Sequence, residues 1–155
     1  MQTKINEGRK LLSARVLVAA STTPGAPVTL TINPQNEILQ DFKICFQAAA
    51  GTVLIKDVGF RLKVGQKLIF PALGSNDSGV DFSGGAAGWS AIPSFDVLES
   101  GDLNLIMDGP PYDMTFEFYN ADVTNGVYIF VWARVTPKVD LPAAPIAADA
   151  KELKK

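Results

Sequence analysis

Apolar residues recur at every second position through most of this sequence, which is the spacing of a β-strand with one buried face. The clearest runs are 14–20, 28–32, 42–46, 58–64 and 114–118. Proline and glycine turns separate these runs, and the body has no convincing stretch with the 3.6-residue spacing of an amphipathic helix. The pattern therefore predicts an all-β protein.

The spacing of the strands further predicts an antiparallel β-sandwich, because short strands joined by turns need a second sheet to bury their apolar faces. We expect eight to ten strands, at roughly 11–20, 27–33, 40–48, 52–64 (as one strand or as two split near Lys56), 67–71, 94–98, 102–107, 112–120 and 126–136. An eight-stranded jelly roll with extended N- and C-terminal arms fits this number, and an immunoglobulin-like sandwich is the nearest alternative. Helical residues are expected only at 35–40 and 147–154.

The last predicted strand and the turn before it carry two specific signals. Asn125 and Gly126 both tolerate positive φ angles, so they predict a type I′ hairpin turn. After them, valine, isoleucine and alanine form one face of the strand, and the other face contains Tyr128, Phe130 and Trp132. A strand that is apolar on both faces is predicted to be central in its sheet. Its aromatic face either lies under a long loop or contacts another subunit.

Residues 72–93 form the longest stretch without periodicity and contain five of the thirteen glycines. Loops of this length in a compact domain are usually functional or in contact with something else. Phe82 and Trp89 are too apolar for a free loop tip. Three interpretations stay open: the two rings fold back onto the body, they contact a neighbouring subunit, or they bind a ligand.

Composition limits the available chemistry. The sequence has no histidine and one cysteine, Cys45. These counts exclude a Ser-His-Asp triad, a Cys-His pair, a His-ligated zinc site and an intrachain disulfide. Asp77 and Asp81 offer oxygen ligands for calcium but lack the spacing of an EF-hand loop, so a solvated loop is the simpler interpretation. No catalytic, cofactor-binding or metal-binding residue is assigned, and the chain is predicted not to be an enzyme.

Charge divides the chain into three parts. Residues 1–10 carry +2 from three basic residues against one acid, and residues 138–155 carry +1 from four lysines against three acids. Residues 11–137 therefore carry −5 of the total of −2. We interpret these parts as an N-terminal arm, a β-sandwich domain and a Pro/Ala-rich C-terminal arm. The arms are either solvated termini or segments that order on a neighbouring subunit or an anionic surface.

The strand series from Ala14 to Thr136, the strong last strand and the two flanking arms together resemble small single jelly-roll virion proteins of icosahedral bacteriophages, of the capsid, vertex or minor capsid type. The resemblance covers the whole chain at the level of architecture, and no functional residue is carried over from it. It implies a homo-oligomeric structural protein of the virion, assembled in the host cytoplasm. Its partners would be copies of itself and other virion proteins, without a small-molecule substrate or a cofactor.

Six residues are candidate subunit contacts under this interpretation: Phe82, Trp89, Tyr128, Phe130, Trp132 and Leu153. Weak contact of the basic tails with a membrane or with nucleic acid stays open, although the acidic body argues against extensive contact with a genome. The alternative from another class is a carbohydrate- or receptor-binding β-sandwich module of a fibre or adhesion protein. In that case the exposed aromatic rings would stack on sugar faces.

Overall fold

A computed structural model describes residues 10–32, 37–71, 78–94, 96–100, 103, 105–106 and 114–137. These residues form two antiparallel five-stranded sheets. The apolar faces of the two sheets pack against each other, which confirms the predicted all-β sandwich. The predicted arms at 1–10 and 138–155 lie outside the described residues except for Lys10, where the first strand begins.

The described strands begin at Lys10 and end at Pro137. Their bounds are β1 (Lys10–Val18), β2 (Val28–Ile32), β3 (Glu37–Ala48), β4 (Val58–Val64), β5 (Lys67–Phe70), β6 (Ser90–Ala91), β7 (Leu98–Glu99), β8 (Leu105–Ile106), β9 (Met114–Asn120) and β10 (Val127–Pro137). A single 3₁₀ turn, Ile55–Asp57, precedes β4.

The order of the strands shows how the chain is folded over. Sheet A runs β1-β10-β3, and both β7 and β8 pair with the other edge of β3. Sheet B runs β2-β9-β4, with β5 and β6 paired to β4. Strands of the first half thus pair with strands of the second half in reverse order, β1 with β10 and β2 with β9. The chain contributes β1 to β4 alternately to the two sheets, then β5 and β6 to sheet B and β7 and β8 to sheet A, before β9 returns to sheet B and β10 to sheet A.

Several local predictions differ from the structure. Residues 37–40 belong to β3 rather than to a helical segment, because β10 extends far enough to pair with them up to Glu37. The predicted strand at 52–64 begins only at Val58, after the 3₁₀ turn in which the Asp57 amide donates to the Leu54 carbonyl at 3.0 Å. The two-residue strand β6 was not predicted.

The predicted hairpin at Asn125-Gly126 was wrong, since β9 and β10 belong to different sheets and neither residue has a positive φ. The loop is shaped by side-chain hydrogen bonds instead. The amides of Thr124 and Asn125 donate to Asp122 Oδ1 at 2.9 and 2.6 Å. The buried Asn120 side chain donates to the Asn125 carbonyl at 2.9 Å. Local turn propensity is therefore overridden by hydrogen bonds from the buried Asn120 side chain and to the more exposed Asp122 carboxylate.

Phe42 connects the two sheets at the centre of the core. It projects from β3 in sheet A and meets three phenylalanine rings of sheet B edge-to-face. The ring centroids lie 5.9 Å from Phe60, 5.5 Å from Phe70 and 5.2 Å from Phe116. Edge-to-face pairs of this kind add to the stabilisation from burial alone. Phe42 is therefore the point at which one truncation removes the most contact between the sheets.

We expect Phe42→Ala to lower the free energy of unfolding by about 3–5 kcal/mol, because it leaves a cavity and removes three aromatic contacts. Urea denaturation followed by far-UV circular dichroism measures the loss. Leu54→Ala is the matched control, because Leu54 is 53% exposed, and it should change the stability by less than about 0.5 kcal/mol. Equal losses in the two variants would contradict the central role of Phe42.

Candidate interaction surface

The outward side of sheet A carries a continuous aromatic strip along β10. Valine, isoleucine and alanine of this strand are buried between the sheets, whereas Tyr128, Phe130 and Trp132 stay half-exposed in the described part of the chain. Phe130 and Trp132 lie with their centroids 6.1 Å apart and their planes 15° from parallel. β10 is thus central, as predicted, and its aromatic side faces away from the core.

Neighbouring strands complete this surface, which we call the outer face of sheet A. The strand registers place β1 and β3 residues beside the aromatic strip, namely Leu11, Ser13, Arg15 and Leu17 of β1 and Asp41, Lys43, Cys45 and Gln47 of β3. Leu11 is 69% exposed and Leu17 is 55% exposed, which is unusual for leucine. The Arg15 guanidinium lies 5.0 Å from the centroid of the Tyr128 ring, a cation–π contact.

A groove of about 680 Å³ lies at one end of the outer face, within the size range of ligand-binding clefts. Its lining comprises Leu11, Asp41, Lys43, Val97, Glu99, Trp132 and Arg134. The four charged groups pair with each other: Arg134 binds Asp41, and Lys43 Nζ lies 3.2 Å from Glu99 Oε1. The groove therefore combines an apolar floor with charges that are already compensated.

Cys45 lies on the outer face opposite Phe130 in the strand register. Burial raises the pKa of its thiol above the ordinary value. A thiol with a raised pKa is mainly protonated at neutral pH, and it is a poor nucleophile because the thiolate is the reactive form. This agrees with a packing role for Cys45.

The outward side of sheet B is covered in part by the loop that precedes β6. Trp89 of this loop is only 4% exposed and packs edge-to-face on Tyr119 of β9, with ring centroids 4.9 Å apart. The Arg61 guanidinium lies 4.3 Å from the centroid of the Trp89 ring. The Ala86 amide donates to the Tyr119 hydroxyl at 3.1 Å, so both ends of the tyrosine side chain are held. Trp89 thus folds back onto the body, which was one of the three interpretations.

Gly59 of β4 makes this packing possible. It lies opposite Tyr119 in the register, and the tyrosine ring rests directly on it. A Cβ atom at Gly59 would lie 2.4 Å from Cε1 of Tyr119, far inside van der Waals contact. A close approach of this kind explains a glycine in the middle of a strand, where it otherwise weakens the sheet.

Glu117 is held by two cations beside the Trp89 cluster. Its Oε1 lies 2.7 Å from Arg61 Nε and 3.3 Å from Lys63 Nζ. Burial by itself raises the pKa of Glu117, but the hydrogen bonds and charges of Arg61 and Lys63 outweigh it and hold the pKa below its ordinary value. The carboxylate therefore stays ionised and fixes the guanidinium on which Trp89 lies.

The six predicted contact residues lie in different parts of the structure. Tyr128, Phe130 and Trp132 come together on the outer face of sheet A, whereas Trp89 packs inside the chain. Phe82 is half-buried and its ring lies against Gly85, where a Cβ atom would come within 2.3 Å of it. Leu153 lies outside the described residues. Whether any of them contacts a neighbouring subunit stays a prediction.

The remaining residues of the outer face of sheet A were not predicted from the sequence, namely Leu11, Leu17 and the paired charges of the groove. A signal for the leucines existed, because both occupy the outward phase of β1, opposite to the phase of Val16 and Val18. The ion pairs had no such signal. Arg134 and Asp41 are separated by 93 residues and meet only through the strand register.

The described residues contain no group of three or more acidic, cysteine or histidine side chains suited to a metal. Asp81 Oδ1 accepts a hydrogen bond from the Ser83 amide at 3.0 Å, and the other calcium candidate, Asp77, lies outside the described residues. Within the same residues, no helix is long and apolar enough to cross a membrane. No protein family, curated protein or solved structure matches the chain.

We expect Glu117→Gln to lower the free energy of unfolding by about 1 kcal/mol at pH 7, because the charge-assisted contacts with Arg61 and Lys63 are lost. Because the folded-state pKa of Glu117 is lowered, its contribution to the stability of the folded protein is complete at pH values above the ordinary pKa of 4.5. This contribution is lost as the pH falls through the folded-state pKa. The difference between wild type and variant should therefore vanish in acid. Urea titrations at several pH values test this, with the exposed Glu99→Gln as control, and a difference that persists unchanged in acid would refute it.

Gly59→Ala should destabilise the protein by about 1–3 kcal/mol, because the new Cβ displaces the Tyr119 ring and with it the Trp89 packing. In a Tyr119→Ala background, Gly59→Ala should cause little further loss of stability, because the clashing ring is absent. A double-mutant cycle from urea unfolding measures the interaction energy between positions 59 and 119. Gly25→Ala is the control, since its nearest neighbouring atom would be 3.9 Å away. Additive effects of the Gly59 and Tyr119 substitutions would contradict the steric explanation.

Proposed function

We propose that this protein is a non-enzymatic structural subunit of a virus particle, which self-assembles through its sandwich faces, loops and terminal arms. The observation that carries the proposal is the aromatic outer face of sheet A. Tyr128, Phe130 and Trp132 lie half-exposed on a rigid central strand, flanked by the exposed Leu11 and Leu17. Clustered aromatic and aliphatic side chains on a soluble domain mark interaction sites, and tryptophan and tyrosine are enriched at the centres of interfaces.

We further propose that the sandwich is a jelly roll. The strand order supports this: β1-β10-β3-β7 in one sheet and β2-β9-β4-β5 in the other give four principal strands in each sheet. In an immunoglobulin-like sandwich the first two strands are neighbours in one sheet, whereas here β1 pairs with β10 and β2 pairs with β9. The strands β6 and β8 are then two-residue additions to the edges.

The state of the carboxylates supports a role without catalysis. Glu117 is held by Arg61 and Lys63, so its pKa is lowered, whereas a general acid needs a raised pKa. Asp41 and Glu99 are each paired with a cation on the outer face of sheet A. Together with the histidine-free sequence and the protonated Cys45 thiol, these pairings favour contact over chemistry.

A glycan-binding module is the second candidate, and the Phe130–Trp132 pair favours it. Two partly exposed rings with centroids 6.1 Å apart and planes 15° from parallel offer aromatic surface, on which the apolar face of a sugar ring stacks. Subunit assembly remains the first proposal, because Leu11 and Leu17 extend the apolar surface beyond such a platform.

The two candidates predict different outcomes for Trp132→Ala. As a subunit, the wild-type protein should form a symmetric oligomer as concentration rises, and the substitution should weaken association by roughly 30-fold, the effect of losing an interface hot spot. Sedimentation velocity and electron microscopy measure this. Val123→Ala, at an 81% exposed position in the β9–β10 loop, is the control and should associate normally. A protein that stays monomeric and loses binding on a glycan array with Trp132→Ala would favour the second candidate.

A further inference from the structure

The groove on the outer face of sheet A lies beside the place where both chain ends leave the sandwich. Lys10 pairs with Val135, and the next residue, Leu11, lines the groove together with Arg134. β10 ends at Pro137, three residues beyond Arg134. The last 18 residues of the chain, 138–155, therefore begin within a few residues of an apolar groove.

The chemistry of the groove selects an uncharged occupant. Its cations and anions are already paired with each other, Arg134 with Asp41 and Lys43 with Glu99. Each of these pairs is partly exposed to solvent and has no net charge, so it gives a charged ligand little to bind, whereas an apolar ligand covers Trp132 and Leu11 and leaves both pairs intact. The removal of apolar surface from water is then the main driving force.

The C-terminal arm contains a segment with this chemistry. Residues 141–146 read Leu-Pro-Ala-Ala-Pro-Ile and carry no charge. Pro142 and Pro145 are three residues apart, which is one turn of a polyproline II helix, so both rings would lie on the same side of the segment in that conformation. Segments of the P-x-x-P type dock into grooves lined by aromatic side chains, and their low conformational entropy reduces the cost of binding.

We propose that the groove around Trp132 binds residues 141–146 of a second copy of this chain. This inference rests on the proposed self-assembly and names the contact that drives it. β10 runs from Trp132 towards Pro137, five residues further on. Residues 141–146 of the same chain would therefore cover this groove only if the chain reversed direction within residues 138–140, whereas the same residues of a second copy need no such reversal.

A contact between an arm and a groove joins two different surfaces of the subunit. Contacts of this head-to-tail type close into rings or extend into larger assemblies, in contrast to a two-fold dimer, which uses the same patch twice. The proposed contact therefore suits a subunit that forms a closed ring as part of a shell.

A mixing experiment tests the proposal with two complementary variants. A chain lacking residues 140–155 keeps the groove but has no segment to donate, and every described strand remains because the last one ends at Pro137. The full-length Trp132→Ala chain keeps the segment but has a damaged groove, and circular dichroism should confirm that it is folded. Each variant alone should associate at least tenfold more weakly than the wild type. Their mixture should form a one-to-one heterodimer in sedimentation velocity.

The prolines are tested within the same mixture. Replacing Pro142 and Pro145 by alanine in the Trp132→Ala chain should weaken the heterodimer about tenfold. Replacing Lys154 and Lys155 by alanine is the matched control and should leave it intact, because both carboxylates among the described lining residues of the groove, Asp41 and Glu99, are already paired. If the lysine substitutions weaken the heterodimer and the proline substitutions do not, the proposal is overturned.

Two further outcomes separate this proposal from the proposed function. If the chain lacking residues 140–155 assembles as well as the wild type, the arm contact is refuted and assembly through the faces still stands. If the wild type is monomeric and its Cys45, opposite Phe130 on the outer face, is alkylated more slowly than in the truncated chain, the arm folds back on its own groove. That result overturns both the second-copy contact and self-assembly through this face.

Discussion

The whole sandwich depends on the position of β10 between β1 and β3. Both of its edges are paired along almost their full length, so its side chains alternate strictly between the core and the outside. A slip of one residue would place Trp132 in the core and Val131 in solvent. At Arg134/Val135 the register with β3 shifts and leaves Gln40 as an extra residue, which keeps Val135 and its partner Leu39 both buried. The same pairing of β10 with β1 and β3 that places its aliphatic side chains in the core therefore also places its aromatic side chains on the outside.

The aromatic side chains on the outward sides of the two sheets are covered to different extents. Sheet B uses a loop of its own chain: Tyr119 lies on Gly59, Trp89 lies on Tyr119, and Arg61 is held against Trp89 by Glu117. Sheet A has an equally aromatic outward side, yet its rings stay half-exposed in the part of the chain that the structure describes. This asymmetry is the physical basis for the proposal that subunit contacts lie on sheet A.

Alternation within the sequence was sufficient to predict most of the strands and to place Tyr128, Phe130 and Trp132 on one face, because a single strand determines both. Alternation was not sufficient where contacts between residues distant in the sequence determine the structure. Local propensity at Asn125-Gly126 indicated a hairpin, but the buried amide of Asn120 imposes another path on the loop. The burial of Trp89 depends on Gly59, thirty residues earlier, and a glycine within a strand gives no sign of which ring it accommodates. The ion pairs of the groove likewise required the strand register.

The compensated charges also bear on what the outer face of sheet A recognises. Three of its cations are engaged within the chain: Arg134 and Lys43 with carboxylates, and Arg15 with the Tyr128 ring. A phosphate backbone would have to displace these partners, and nucleic-acid binding gains its affinity from free cations that release counterions. An apolar segment needs no such displacement, and its binding is little affected by salt because burial of apolar surface is not screened. The described part of this face is therefore better suited to an apolar segment than to a phosphate backbone.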